Sequence, residues 1–205
     1  MFVLTSIKQT VRVPADKFHL NLYQAIEQEL NQKYANKVIL NVGLCIALWD
    51  LTNREDSYIL PGDGASHTKV NFRCAVFRPF MEEILVGKIK NASTDSVQVS
   101  LGFFDDIVIP ADNLQYPSRF CEKQQTWVWE VEVDGDKHEL PMEKDSEIRF
   151  RVVGETFTDT TPSGPKSESS DSHLDVKENK QIPYLITASI NEPGLGPLSW
   201  WEKSE

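Results

Sequence analysis

Hydrophobic and polar positions alternate along residues 82–110 and predict an antiparallel sheet. The apolar positions have the period of two that is typical of half-buried strands, and a polar turn interrupts them at residues 91–95. Gly87 favours a bend or bulge that curves the first strand, and Gly102 stands where the second strand must reverse. The pattern predicts a five-stranded OB barrel. The inward positions of its first two strands are Leu85, Gly87, Ile89, Val97, Val99 and Leu101.

The beginning of the chain predicts a strand followed by an amphipathic helix. Residues 1–13 alternate as a strand, and Pro14 breaks the pattern. Over residues 16–34 the apolar positions return with helical spacing, and Asp16 is the expected N-cap.

Two further strands complete a β-α-β-β order. The run over residues 38–51 is apolar at successive positions, which predicts a strand covered on both faces, and the turn at residues 61–64 leads into the next strand. Pro79 marks the expected boundary between an N-terminal domain, 1–80, and a barrel domain, 81–205.

The remainder of the barrel domain mixes strands with a polar insertion. Residues 111–125 suggest a short helix and a loop, and residues 127–142 predict a hairpin whose tryptophans face the core. Further barrel strands are expected at residues 145–153 and 183–190. Residues 159–181 contain few large aliphatic side chains and no aromatic ones, which predicts a disordered insertion.

Two tryptophans stand close to the end of the sequence, at Trp200 and Trp201. Exposed, unpacked indoles are unusual, so two interpretations are open: the rings pack back on the barrel, or they contact a partner.

Charge argues against tight nucleic-acid binding by this chain alone. The net charge is −10, and residues 81–158 hold 8 Lys or Arg against 16 Asp or Glu, a net charge of −8. Nucleic-acid affinity depends largely on neutralising phosphates, so contacts with RNA should be local. The 40% hydrophobic content is typical of globular proteins, and the N-terminus lacks the pattern of a secretory signal, so we expect a soluble, intracellular protein.

The residues offer little for catalysis or metal binding. The sequence contains no phosphate-binding loop and no His or Cys pair at metal-ligand spacing, and its three cysteines are widely separated. Asp105 and Asp106 are adjacent, so in a strand they would face opposite ways. We expect neither enzymatic activity nor a cofactor or metal.

Several separated segments resemble one protein family, the RNA polymerase stalk subunits homologous to the E-type subunit of archaeal RNA polymerase. The similarity covers nearly the whole chain except the insertion, and several segments most closely resemble the RNA polymerase III members. The segments are NVGLCIALWD at 41–50, PGDGASHTKV at 61–70, FRCAVFRPF at 72–80, VSLGFFDDIVIP at 99–110, WVWEVE at 127–132, IRFRVV at 148–153 and GLGPLSWW at 194–201.

The resemblance implies an α+β protein: a truncated RNP-like β-α-β-β tip domain joined to an S1-type OB barrel. It also implies a nuclear, non-catalytic subunit that forms a heterodimer with a small helical subunit, stands near the RNA exit path of RNA polymerase III, and helps to initiate transcription of small structured RNAs. The alternative is a freestanding S1-class RNA-binding protein, which the acidic barrel disfavours.

Two sets of candidate residues follow. Because the tip loops of the family face the polymerase core, the turn formed by Leu60, Pro61, Gly62, Asp63 and Gly64 is the candidate for docking; the alternative is a solvated hairpin turn. For nascent RNA, the candidates are outward-facing basic residues and a phenylalanine for base stacking. These residues are Lys88, Lys90, Arg149, Arg151 and either Phe103 or Phe104, although the basic side chains could simply balance neighbouring acids and one phenylalanine could fill the barrel mouth.

Overall fold

The computed structural model describes residues 1–133, 136–160 and 182–201. Contacts divide the chain into an N-terminal unit, Met1–Pro79, and a C-terminal unit, Phe80–Glu205. None of the helices in these described ranges is long and apolar enough to span a bilayer.

The N-terminal unit is one antiparallel sheet with a helix packed on one face. Its strands lie in the order β1-β4-β3-β2, and the helix covers a core that includes Ile26, Leu30 and Phe72. The elements are β1 Phe2–Val13, α1 Leu22–Tyr34, β2 Lys37–Ile39, β3 Gly43–Ile59 and β4 Ser66–Phe77.

The helix begins later than predicted. The Asp16 N-cap is wrong, because this residue lies in a short 3-10 turn, Ala15–Lys17, in which Lys17 N–H donates to the Pro14 carbonyl at 3.1 Å. The N-cap of α1 is Asn21, whose side chain accepts a hydrogen bond from Tyr23 N–H at 3.1 Å. Asparagine caps a helix as well as aspartate does, so N-cap preference alone does not distinguish a helix that begins after Asp16 from one that begins after Asn21.

The expectation that the apolar run over 38–51 is covered on both faces is also wrong. β3 pairs with β4 through irregular registers, including one between Leu48 and Asp50. Leu48 packs against the core below the helix, whereas Trp49 is 64% exposed. The described chain therefore leaves part of β3 uncovered.

The C-terminal unit contains the predicted five-stranded closed barrel. β5, β6 and β7 form an antiparallel meander, β12 pairs with β7 in parallel, and β11 closes the ring by pairing with both β12 and β5. This arrangement is consistent with an OB fold. Within the described ranges the strands are β5 Ile84–Ala92, β6 Ser96–Ser100, β7 Ile107–Pro110, β8 Ser118–Cys121, β9 Thr126–Val133, β10 Asp136–Pro141, β11 Glu147–Phe157, β12 Tyr184–Ser189 and β13 Gly196–Pro197.

Gly87 and Gly102, the two glycines that the sequence pattern singles out, have different roles in the barrel. The reversal at Gly102 is confirmed, with a φ of +87°. The bulge is not at Gly87, because the register of β5 and β6 shifts between Ile89 and Asn91. Gly87 instead allows close approach, since a Cβ there would lie 2.8 Å from the Ser100 carbonyl oxygen.

A separate three-stranded sheet, in the order β10-β9-β8, follows the barrel meander in sequence. The hairpin of β9 and β10 is confirmed, while its predicted turn at 134–135 lies outside the described residues. The expectation of only a helix and a loop at 111–125 is wrong, because β8 pairs with β9 there and places Phe120 opposite Trp127. Trp127 is buried, as predicted, and its indole N–H donates to the Ser93 carbonyl at 2.8 Å.

The terminal tryptophans contact their own unit. The Trp200 ring centre lies 5.1 Å from that of Trp129, and a Cβ on Gly196 would lie 2.7 Å from the Trp200 ring. Trp201 donates its indole N–H to the Leu195 carbonyl at 3.1 Å and stays 42% exposed. The predicted insertion at 159–181 lies outside the described residues apart from its first two positions.

Candidate interaction surfaces

The turn between β3 and β4 is held by hydrogen bonds to Asp63. The Arg12 guanidinium on β1 donates to both carboxylate oxygens, with Nε–Oδ2 at 3.0 Å and Nη2–Oδ1 at 2.6 Å. The Nε2 atom of His67 lies 2.8 Å from Asp63 Oδ2, and Asp63 N–H donates to the Leu60 carbonyl at 3.1 Å. Asp63 therefore ties the turn to both β1 and β4.

These contacts control the ionisation of Asp63. The hydrogen bonds from Arg12, then the bond to His67, hold the pKa of the carboxyl far below its usual range, and the carboxylate in turn raises the pKa of Arg12. Both groups face water, which screens their electrostatic attraction. The ion pair therefore adds little attraction, and the directed hydrogen bonds to Asp63 fix the position of the turn.

The five predicted docking residues consequently have two roles. Asp63 is a structural anchor, and Leu60, Pro61, Gly62 and Gly64 are exposed around it. Leu60 continues an exposed apolar run at the end of β3 that includes Ile59 and Tyr58, whose ring stacks on His67. The turn therefore presents an apolar edge on a fixed backbone.

Lys88 and Lys90 both point outward from β5, as predicted, but their surroundings differ. Lys90 Nζ lies 2.7 Å from Asp105 Oδ2, and this bond, with another from Ser100, lowers the pKa of the Asp105 carboxyl. Lys88 forms no ion pair with any residue that the structure describes, and it lies opposite Ser100 on β6.

The two candidate phenylalanines, in the loop between β6 and β7, differ in exposure. Phe104 is buried, with its ring centre 5.5 Å from that of Tyr184, so a nucleobase cannot stack on it. Phe103 is half-exposed.

Arg149 and Arg151 on β11 are bound to protein groups. Arg151 lies 3.1 Å from Glu82 and 2.6 Å from Glu192, while its buried Nε has no hydrogen-bond partner among the described residues. Arg149 donates to the Gly194 carbonyl at 3.4 Å. The Arg151 guanidinium is therefore already paired with two carboxylates, whereas Arg149 has one long hydrogen bond to a neutral carbonyl.

A cleft opens beside Lys88 on the outside of the barrel. It has a volume of about 320 Å³, and Gly87 and Gly102 leave backbone at its surface. The residues lining it are Val86, Gly87, Lys88, Ser100, Leu101, Gly102 and Glu147.

Sequence reasoning missed one set of exposed apolar residues, of which Val86 lines this cleft. Phe80, Met81, Ile84 and Val86 are all about half-exposed or more. The signal was present in the alternation of β5, which places Ile84 and Val86 on the outward face together with Lys88.

In the described part of the chain, no cluster of three or more His, Cys, Asp or Glu side chains could hold a metal ion. Cys45 and Cys74 are buried in the N-terminal core, and burial raises the pKa of Cys74 to about 12, so its thiol is a poor nucleophile.

Comparisons with known proteins match both units of the chain to subunits of RNA polymerases. Residues 83–201 match a family model described as RNA polymerase III subunit Rpc25, and residues 8–64 match the SHS2 domain found in the N terminus of Rpb7p/Rpc25p/MJ0397. The DNA-directed RNA polymerase III subunit RPC8 of Bos taurus is 54% identical, with 100% of both chains covered. The protein of that name in Saccharomyces cerevisiae is 36% identical over 98% of this chain and 100% of its own. The archaeal RNA polymerase subunit Rpo7 of Saccharolobus shibatae is 27% identical over 98% and 97%.

Proposed function

The chain belongs to the RNA polymerase III subunit Rpc25 family, and we propose that it works as a non-catalytic stalk subunit of nuclear RNA polymerase III. In this role it forms a heterodimer with a small helical subunit and contributes to initiation on genes for small structured RNAs. The observation that carries the proposal is the agreement of both units with the same set of polymerase subunits over their full lengths.

The charge of the barrel supports this function over that of a freestanding RNA-binding protein. An autonomous binder needs a basic groove to neutralise phosphates. Here the arginines of β11 are bound to carboxylates or backbone, and Lys90 is paired with Asp105. An acidic barrel fits a subunit that acts through assembly.

In the N-terminal unit, the turn at residues 60–64 is the proposed contact with the polymerase core. Leu60 and Pro61 offer exposed apolar surface, Gly62 and Gly64 let another backbone approach, and Asp63 holds the turn. A fixed loop loses little conformational entropy on binding, which favours docking.

For nascent RNA, the proposed surface is narrower than the sequence suggested. Of the four basic candidates, Lys88 is the one that forms neither an ion pair nor a side-chain hydrogen bond within the described ranges. Gly102 also lines the cleft beside Lys88, and the next residue in the chain is the half-exposed Phe103. Lys90 borders the same face. A cation and an aromatic ring together provide a weak contact for single-stranded RNA, which suits a transcript passing the stalk.

The test uses RNA polymerase III prepared from cells depleted of this chain. Adding back the chain with its small partner should restore promoter-dependent initiation while leaving elongation on a pre-opened template unchanged. Restoration of nucleotide addition on both templates would contradict the non-catalytic assignment, and restoration of neither would contradict a role in initiation.

A further inference from the structure

We propose that the outer edge of β1 is a self-association surface. In the chain outside the polymerase, two copies pair their β1 strands edge to edge, in antiparallel orientation, about a twofold axis at Ile7. The inference goes beyond the proposed function and does not rest on it. The partner is a second copy of this chain, because the edge of β1 is complementary to itself in backbone hydrogen bonding and in charge.

β1 is a long and regular strand at the edge of its sheet. In the described ranges it pairs only with β4, and all residues from Phe2 to Val13 do so in a single register without a bulge. The outer side of β3 is also unpaired there beyond Cys45, but the register of β3 with β4 shifts at four places. Bulges make an edge unsuitable for another strand, whereas a long regular edge is a template for one.

The hydrogen bonds between β1 and β4 show which backbone groups of β1 face outward. Arg78 N–H donates to the Met1 carbonyl at 3.0 Å, which makes these two residues a hydrogen-bonded pair at the start of the ladder. Hydrogen-bonded and non-hydrogen-bonded pairs alternate along antiparallel strands, so the odd-numbered residues of β1 bond to β4. The even-numbered residues direct their N–H and C=O groups to the outer edge. They include Leu4, Ser6, Lys8 and Thr10.

One register fits two such edges together. The outward groups meet only when even-numbered residues lie opposite even-numbered residues. With Ile7 opposite Ile7 of the second copy, residues 2–12 pair completely, Leu4 lies opposite Thr10, and Ser6 lies opposite Lys8. The next register, which pairs residues 3–13, would set Lys8 opposite Lys8, and like charges directly opposite each other destabilise a sheet. The register before it pairs only residues 2–10.

The two basic residues of β1 leave this edge open, although charged side chains on edge strands usually prevent pairing. Lys8 Nζ lies 3.2 Å from Glu55 Oε1, and Arg12 donates to Asp63 at 2.6 Å and 3.0 Å. Both acids belong to β3 or the turn after it, and β4 lies between β3 and β1. The two cations therefore lean across the sheet, away from the outer edge, and each is paired within its own chain.

The experiment follows the mass of the purified full chain by sedimentation velocity as its concentration rises to the solubility limit. The wild type should move from 23.3 kDa toward twice that mass. Leu4→Lys/Thr10→Lys places lysines opposite each other at two positions and should weaken association at least tenfold. The matched variant Leu4→Glu/Thr10→Lys places opposite charges there and should associate at least as tightly as the wild type. A wild type that stays monomeric throughout, or equal association of all three chains, would overturn the inference.

A second measurement tests the register without placing charge on the edge. Ile7→Cys should form a disulfide-linked dimer under mild oxidation, because the two Ile7 positions form a non-hydrogen-bonded pair, whose side chains are close enough for a disulfide. Val3→Cys, on the same face of β1, should not, since Val3 lies opposite Val11 of the second copy. Both variants keep the native cysteines, which therefore contribute equally. Equal linkage in the two variants, or association of Ile7→Cys without linkage, would overturn the proposed pairing.

Discussion

Arg12 and Asp63 are 51 residues apart in the chain and meet through two hydrogen bonds of 2.6 Å and 3.0 Å. The contact joins β1 to the turn that follows β3, at the edge that we propose docks on the polymerase. Both side chains are charged and lie at the surface, so the contribution of this contact to folding stability depends on pH and salt.

The Asp63 contact predicts a loss of stability in acid. The pKa of the folded carboxyl lies below its unfolded value of about 3.9, so its contribution is present above that pH and is lost as pH falls through the folded pKa. Asp63→Asn should lower the melting temperature at pH 7 and flatten its decline below about pH 4. Asp56→Asn, on the exposed part of β3, is the matched control and should follow the wild type at every pH. If the melting temperatures of wild type and Asp63→Asn decline equally as the pH falls, the Asp63 contact does not cause the loss of stability in acid.

Leu60 provides a direct test of the docking turn. Leu60→Asp should reduce retention of the chain on polymerase III at moderate salt, because it places a carboxylate in the apolar edge, while the melting temperature of the isolated chain stays the same. Tyr23→Asp, an equally exposed position on α1, should leave retention unchanged. Equal retention of wild type and Leu60→Asp would show that the turn is a solvated hairpin turn and does not contact the polymerase.

Gly87 should tolerate no side chain. Gly87→Ala places a Cβ 2.8 Å from both the Ser100 carbonyl oxygen and Val99 Cγ1, so β5 and β6 must separate, at a cost of about 1–3 kcal/mol. Gly64→Ala meets no atom within 4 Å and should change stability by about 0.5 kcal/mol or less. Denaturant titrations compare the two, and equal midpoints would show that the strands adjust without strain.

The neighbouring phenylalanines should separate stability from RNA contact. Phe104→Ala removes a buried ring that packs on Tyr184 and should cost about 3–5 kcal/mol. Phe103→Ala should cost less than Phe104→Ala, because the Phe103 ring is 47% exposed, yet reduce crosslinking of the transcript in the assembled enzyme. Undiminished crosslinking in Phe103→Ala would remove this ring from the RNA surface.

The barrel could be predicted from sequence because its strands bury one face and expose the other. Val97 and Val99 are buried where the alternation placed them, and Lys88 and Lys90 point outward. The start of α1 could not be predicted, since Asp16 and Asn21 are both good capping residues. β8 is a four-residue strand without a clear alternating pattern, and pairing with β9 stabilises it.

Long-range pairing explains the remaining differences at the candidate surfaces. The sequence shows Arg151 as a basic residue on an outward position, but its partners Glu82 and Glu192 lie 69 and 41 residues away. The closure of the barrel brings all three together. Arg151, which appears available for RNA in the sequence, is therefore already paired with two carboxylates of its own chain.

If this chain functions inside RNA polymerase III, it should co-purify with the other subunits of that enzyme. The chain would be tagged in its own cells, isolated at moderate salt and analysed by mass spectrometry together with everything that remains bound. We expect recovery of a small helical subunit and the largest RNA polymerase III subunits in comparable amounts. Recovery of ribosomes or free RNA without polymerase subunits would contradict it and support the freestanding RNA-binding alternative.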